Sequence, residues 1–487
     1  MKMKMKMRMK MLSLVVAAFL GGVLSGAATE RPNIIVMLCD DLGHGDLSCY
    51  GHEIIKTPNL DGLASGGLRF TDCYAASTVC SPSRAGLFTG RNPNRAGIYD
   101  WIGGGPVHLR REETTLPALL QKAGYATMLS GKWHLNGRFN QPDLQPTPGD
   151  HGFDYWFATS NNAGPNHHNP QNFVRNGKKV GKIEGYSSSI VVQEALGWID
   201  GRKEKKKPFA VFLTFHEPHQ PIASPPDLIK QYKPFETIPG QADYWANVAQ
   251  VDRAVGELLK GLEDRKVRDN TLLVFTSDNG PEEWMRYPGV WNSHGTPGAV
   301  DGVPFRGWKL DVFEGGIRVC GIVNWPAEIK QGRVVSVPIC ATDLLPTLCE
   351  VAEAKVPANL HLDGTSIMPL ICGGDSLTRS APLFWFYYNA RGYANFALRD
   401  GDYMLLARRT GPQYRAGTPY TPDRFPGIGE TTVRSAELYN LRTDPMEVVN
   451  LAKKEPDRLK AMQVQLEEQL KDIQKTAPSW RKDNEEK

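Results

Sequence analysis

The sequence predicts an α/β fold: a large, mostly parallel sheet flanked by helices, followed by a smaller C-terminal α+β domain with an antiparallel sheet and a helix. Three observations carry that prediction. Four short apolar runs, rich in β-branched residues and bounded by turn formers, each end in polar residues suited to chemistry, the pattern of strands buried on both faces. Helical patterns separate the runs, as at 115–123 and 244–263. Beyond about Leu370 the apolar stretches shorten, turn pairs such as Asp400-Gly401 join them, and a single amphipathic helical pattern closes the chain.

From the N terminus, MKMKMKMRMK followed by residues 11–28 has the layout of a secretory signal peptide. A basic start leads into an apolar run, and small residues follow at Ser25-Gly26-Ala27-Ala28, placing cleavage after Ala27 or Ala28 and export to the periplasm or the exterior. The apolar run is too short for a comfortable membrane span, and no later stretch reads as one. The expected organisation is therefore a signal peptide at 1–28, a main domain at 29–375 and a smaller domain at 376–487. The formal charge of +4 includes Lys2, Lys4, Lys6, Arg8 and Lys10. Without those five the remainder is −1, which gives no electrostatic case for binding nucleic acid. The eight cysteines (Cys39, Cys49, Cys73, Cys80, Cys320, Cys340, Cys349, Cys372) match no zinc spacing, and sequence alone does not pair them.

The apolar runs deliver their polar residues in a consistent sense. Ile34-Ile35-Val36-Met37-Leu38 leads to Asp40-Asp41, and Ala126-Thr127-Met128-Leu129 to Gly131-Lys132-Trp133-His134. Phe209-Ala210-Val211-Phe212-Leu213 leads to His216 and His219, and Leu272-Leu273-Val274-Phe275 to Asp278-Asn279-Gly280. In open α/β sheets ligands bind beyond the carboxyl ends of the strands, so four strands delivering acids, amide, lysine and histidines describe one site. Asp40, Asp41, Asp278 and Asn279 are hard oxygen donors, which favours calcium, with magnesium as the alternative, over zinc. Lys132 and His134, two apart on an extended strand end, are expected on one face. In the C-terminal part, Phe384-Trp385-Phe386, Phe396-Ala397-Leu398-Arg399 and Tyr403-Met404-Leu405-Leu406 read as short strands. Leu459, Met462, Leu466, Leu470 and Ile473 read as one helix face with Pro456 near its start. Residues 203–207 read as a solvated loop, and the tail after Thr476 is expected to fray.

Cys80-Ser81-Pro82-Ser83-Arg84 opens a helix: Pro82 suits its first turn and Gly90 its end. A side chain there meets unpaired N–H groups and a dipole that favour negative charge, and Arg84, one turn on, could fork onto an anion or a metal-bound oxygen. A lone cysteine in such a helix is usually a packing residue. The run through Ala85-Gly86-Leu87-Phe88-Thr89-Gly90 overturns that reading. It resembles the maturation sequence of the formylglycine-dependent (type I) sulfatases, Cys-x-Pro-Ser-Arg-x-x-Leu-x-Thr-Gly, at every fixed position.

The resemblance extends from about 31 to about 452, through Gly131-Lys132-Trp133-His134-Leu135, the Pro-His-x-Pro histidine His219, Gly307-Trp308-Lys309 with Gly315-Gly316-Ile317-Arg318-Val319, and Glu437-Leu438-Tyr439-Asn440-Leu441. Asn136 and Cys320 depart from it, where Gly and Pro are usual. It implies an alkaline phosphatase-like fold and a sulfuric ester hydrolase close to the arylsulfatase A and N-acetylgalactosamine-6-sulfatase branch. It also implies oxidation of Cys80 to formylglycine by a formylglycine-generating or sulfatase-maturating enzyme. In this scheme Asp40, Asp41, Asp278 and Asn279 hold the cation, with residue 80 facing it. Lys132, Lys309 and Arg84 stabilise sulfate charge, His134 takes a proton, and His219 is the general acid. His216 is expected to be structural. The implied substrate is a sulfated carbohydrate or an aryl sulfate. Asn161-Asn162, His167-His168, Asp100-Trp101, Trp291 and His294 are candidates for a sugar subsite. A phosphomonoesterase or phosphodiesterase of the alkaline phosphatase superfamily and an inactive glycan-binding relative are the alternatives.

Overall fold

A computed structural model describes residues 31–139, 141–283, 305–412, 414, 420–425 and 427–480. The predicted signal peptide, Trp291 and His294 lie outside them. From Pro32 onward the described residues form one compact unit.

The large sheet is built from β1 (Asn33–Asp40), β2 (Leu68–Tyr74), β3 (Ala126–Lys132), β4 (Tyr155–Thr159), β5 (Val174–Arg175), β6 (Lys178–Lys179), β7 (Phe209–Pro218), β8 (Thr271–Ser277), β9 (Arg318–Asn324), β10 (Arg333–Val335) and β11 (Ile339–Cys340). Its order is β10-β2-β9-β8-β1-β7-β3-β4-β5-β6, with β11 also on β2. The four predicted strands are the contiguous parallel centre β8-β1-β7-β3, and β9 runs antiparallel to both β8 and β2. Along β1, Ile34, Val36 and Leu38 enter one apolar cluster while Ile35, Met37 and Cys39 enter another. Period-2 alternation with both faces apolar is why these runs show no polar face. The helices Ser187–Gly201 and Gln241–Asp264 cover one face and contribute to its core.

A second sheet, β12 (Leu383–Phe386), β13 (Phe396–Asp400), β14 (Tyr403–Arg409) and β15 (Val433–Asn440), is antiparallel in sequence order. The helix Pro456–Thr476 lays Met462, Leu466, Leu470 and Ile473 into the same apolar cluster as these strands and one face of the large sheet. The tail after Thr476 departs from expectation. Trp480 is buried and donates its indole N–H to the Gly97 carbonyl at 2.6 Å, Arg110 stacks on its ring, and the Tyr99 hydroxyl donates to the Pro478 carbonyl. A buried tryptophan with its donor satisfied holds the chain down through residue 480.

Candidate active site

Strand register assembles the site. Cys39 pairs with Ser277, Asp40 with Pro218 and Lys132 with Thr159, so the ends of β1, β8, β7 and β3 arrive at one edge of the sheet. The Asp278 N–H donates to the Cys39 carbonyl at 3.0 Å and tightens this edge. The helix Cys80–Thr89 starts there and is buried along its whole length; Gly90 ends it with φ 65°, its N–H on the Gly86 carbonyl. That conformation is open to glycine at little cost. Lys309 is fixed by its own N–H on the Pro281 carbonyl and by the Leu310 N–H on the Thr78 carbonyl.

Four side chains converge: ligand atoms of Asp40, Asp41, Cys80 and His219 all lie within 4.8 Å of one another. The Cys80 thiol donates to Asp40 Oδ1 at 3.5 Å. Lys132 Nζ lies 2.5 Å from Asp40 Oδ2, and Lys309 Nζ lies 2.7 and 2.8 Å from the two Asp41 oxygens. His219 Nδ1 donates to the Gln220 carbonyl at 2.6 Å, and its Nε2 stands 3.7 Å from Asp41 Oδ2. The aspartates are buried, whereas the His219 side chain is 21% exposed and forms the open side.

Charge sets the protonation states. Burial opposes ionisation of Asp40, but Lys132, His219, Arg84 and Lys309 hold its carboxyl well below the usual range. Burial and then Asp40 raise Asp278 to about 7, against Arg84. Burial lowers His219 to about 4, assisted by Lys309, and keeps His134 well below an ordinary histidine, assisted by Lys132 and Arg84. Both imidazoles are therefore neutral at pH 7 in this arrangement.

The residues present fit a hard divalent cation. Asp40, Asp41 and Asp278 offer carboxylate oxygens. Asn279 donates its amide N–H groups to Asp41 Oδ1 at 2.7 Å and the Gly280 carbonyl at 2.8 Å, which leaves its buried Oδ1 without a hydrogen-bond partner among the described residues. A buried acceptor left over beside three carboxylates is one that a hard divalent cation would satisfy.

Three expectations change. Arg84 turns two of its nitrogens onto the protein: Nε donates to Asp278 Oδ2 at 2.9 Å and Nη1 to the Lys132 carbonyl at 2.6 Å, while Nη2, 2.8 Å from Asp278 Oδ2 as an ion pair, makes no hydrogen bond among the described residues. It orients the ends of β8 and β3. Lys132 and His134 do not share an extended face, because His134 has φ 55° and the chain turns after Lys132. His134 Nε2 instead donates to the Ile102 carbonyl at 3.1 Å, leaving Nδ1 as its lone-pair nitrogen, buried and without a hydrogen-bond partner among the described residues. Asp100 is no sugar ligand; it is buried and accepts the Tyr387 and Tyr388 hydroxyls at 2.7 and 2.8 Å.

Other candidates sort by geometry. Asn162 Oδ1 accepts from Lys132 Nζ at 3.1 Å and its Nδ2 donates to the Gln220 carbonyl at 2.9 Å, tying both lysine and histidine segments to one loop. His167 is buried against Asn247, and His168 stacks on Tyr186. His216 is buried with Nε2 2.7 Å from Thr159 Oγ1. Sequence reasoning missed Ile102, whose carbonyl accepts from His134 and whose N–H donates to the Ser81 hydroxyl oxygen at 2.9 Å. Main-chain groups carry no residue signature.

Comparison with known proteins agrees with this assembly. The sulfatase family model matches residues 32–354, and that for the C-terminal part of N-sulphoglucosamine sulphohydrolase matches 307–409. N-acetylgalactosamine-6-sulfatase of Homo sapiens is 34% identical over 461 residues, covering 88% of this chain and 82% of the relative. Arylsulfatase A of Homo sapiens is 32% identical over 461 residues, covering 89% and 86%. The crystal structure of Ps i-CgsB in complex with k-i-k-neocarrahexaose superposes with a TM-score of 0.76 at 28% identity, over 92% of this chain and 95% of its own. The fold, the convergence of acids and lysines on Cys80 and these relatives lead to one conclusion: the chain belongs to the sulfatase family and is a sulfuric ester hydrolase of the alkaline phosphatase-like fold.

Proposed function

We propose that this enzyme removes sulfate from a sulfated carbohydrate, using formylglycine made from Cys80 by a maturating enzyme and one calcium or magnesium ion. The observation that carries the reading is the Cys80 side chain at a buried helix start, directed at Asp40 and flanked by Lys132 and Lys309. Asp40, Asp41, Asp278 and Asn279 would hold the ion, with residue 80 facing it. The ion would neutralise sulfate oxygens, and the hydrated aldehyde would supply one hydroxyl to attack sulfur and a second to release sulfate.

The remaining work falls to side chains. Lys132 and Lys309 stabilise the charge that grows on sulfate oxygens. Arg84 acts by holding Asp278 and the end of β3. His134, neutral with its lone pair on Nδ1, is ready to accept a proton. His219 presents Nε2 on the open side and is the general acid toward the leaving oxygen. A bound sulfate anion offsets the Lys309 charge that depresses His219, and so favours the protonated form when it is needed. Unmodified Cys80 is a poor substitute: burial raises its thiol to about 12, ahead of the lowering by Lys132 and Lys309.

The carbohydrate substrate rests on the names of the relatives and on the complex of Ps i-CgsB with a neocarrahexaose. We place the catalytic groups in 29–375, the smaller domain in 376–487, and export to the periplasm or exterior through the signal peptide at 1–28. Among the described residues no helix is long and apolar enough to cross a membrane. The test is a tryptic mass spectrum of the residue 80 peptide from native material, paired with Cys80→Ala. Conversion to the aldehyde should accompany activity, and the variant should fold yet lose turnover by roughly 10³-fold or more. Full activity in Cys80→Ala would sink the assignment.

A further inference from the structure

Away from the catalytic cluster, a cavity of about 230 Å³ opens where β2 and β9 of the large sheet meet the β13–β14 hairpin and residues 441–442. Four guanidinium groups line it, those of Arg69, Arg318, Arg399 and Arg442, against the two carboxylates of Asp72 and Asp402. Arg318 and Arg399 are 7% and 4% exposed and share Asp72, with N···O distances of 3.1 and 2.6 Å. Glu314, outside the lining, takes a further Arg318 nitrogen at 2.8 Å. Even with it counted, four guanidiniums face three carboxylates. Burial works against ionised Asp72, yet the two arginines draw it down to about 2, which marks the local field as positive.

The upper part of the cavity is less committed. Arg442 and Asp402 pair at 2.7 Å with 74% and 41% of their side chains exposed, a contact held weakly in water. Arg69 stacks over the Tyr50 ring at 5.3 Å and bonds no carboxylate among the described residues. Here Arg318 pairs with both Asp72 and Glu314, Arg399 pairs with Asp72 and donates its Nε–H to the Gly401 carbonyl, and Arg69 pairs with no carboxylate among the described residues. Each Nη of Arg318 and Arg399 carries a second hydrogen beyond the one its protein partner takes, guanidinium groups lining one small cavity suit a tetrahedral oxyanion, and sulfate is the ion this enzyme releases.

We propose that this cavity is a second anion site, taking one free sulfate, or the sulfate group of an ester, between Arg69, Arg318 and Arg399, with Arg442 leaving Asp402 to join it. The site is independent of the chemistry assigned to residue 80. Crystals of the full chain soaked in selenate should show anomalous density in the cavity. In solution, inorganic sulfate titrated at constant ionic strength should bind there about ten-fold more weakly in Arg69→Gln. Arg69 lies at the rim, so the unfolding temperature of that variant without sulfate should match the parent. Arg442→Gln should weaken binding in the same sense. Titrating Cys80→Ala protein with a sulfated monosaccharide and its unsulfated parent separates the two sources. Tighter, Arg69-dependent binding of the sulfated sugar than of inorganic sulfate assigns an ester, and the reverse assigns free sulfate. Selenate density absent from the cavity, or sulfate binding that both arginine variants leave unchanged, overturns the proposal.

Discussion

Asn279 illustrates how much a single side chain can reveal about its missing partner. Its amide nitrogen is fully used while its buried oxygen has no hydrogen-bond partner among the described residues, which is the observation behind its proposed role as a cation ligand. Asn279→Ala is expected to weaken divalent cation binding by about ten-fold or more, measured by metal titration of the chelated protein. Chelation should abolish activity of the matured enzyme and calcium or magnesium should restore it. Rescue by zinc alone, or two metals per chain, would defeat the all-oxygen reading. His219 makes a second prediction. General acid assistance contributes about 10²–10⁴-fold where the leaving group is poor. His219→Ala should therefore cost far more kcat/KM on a sugar sulfate than on a nitrophenyl sulfate, and equal losses would assign it to sulfate binding. Both residues were legible in the sequence because their motifs are local. Arg84 was legible as part of the motif but not in its contact, since Asp278 lies almost two hundred positions away.

At the scale of elements, strand ends decide where the chemistry stands. Gly131, at the end of β3, has φ 117°, and a Cβ there would lie 1.9 Å from the Thr214 carbonyl oxygen on β7. Gly131→Ala must push the two strands apart beside Lys132, and we expect a loss of about 1–3 kcal/mol with a fall in activity larger than the fall in stability explains. Denaturant unfolding and kcat on the same sample measure the two effects; a variant with wild-type stability and turnover would show that the strands yield freely. The central strands were readable from sequence because a strand buried on both faces is a continuous apolar run. The turn at His134 was not. A positive φ at a non-glycine residue depends on what surrounds it, here the Ile102 carbonyl that receives the ring. The packed tail through Trp480 was missed for a related reason: its partners, Gly97 and Arg110, sit on distant loops.

The whole molecule is held across its two sheets by charge as well as by apolar packing. Asp72 on β2 binds Arg399 on β13 and Arg318 on β9. Its folded pKa of about 2 lies below the ordinary value, so its contribution is complete above about pH 4 and is lost as pH falls through about 2. A shift of that size corresponds to roughly 2–3 kcal/mol. Denaturant unfolding between pH 5 and pH 2 should show this loss, and Asp72→Asn should be less stable than the parent at pH 5 and lack this part of the acid dependence. An unchanged acid profile in the variant would remove Asp72 from the inter-sheet account.

The sequence by itself determined the composition of the site and the direction in which it is presented. Apolar runs ending in Asp40-Asp41, Lys132, His219 and Asp278-Asn279 specify buried parallel strands, and strand polarity places those ends together. The helix that opens at Cys80 is equally local, set by Pro82 near its start and Gly90 at its end. Tertiary structure decided which of those groups bond to one another. It turned Arg84 onto Asp278, set Lys309 on Asp41, fixed the His134 ring on Ile102 and gave Asp100 to two tyrosines of the C-terminal part. The physical reason is range: backbone periodicity and capping act over a few residues, whereas the pairing of buried charges is settled only when segments hundreds of residues apart are desolvated against each other.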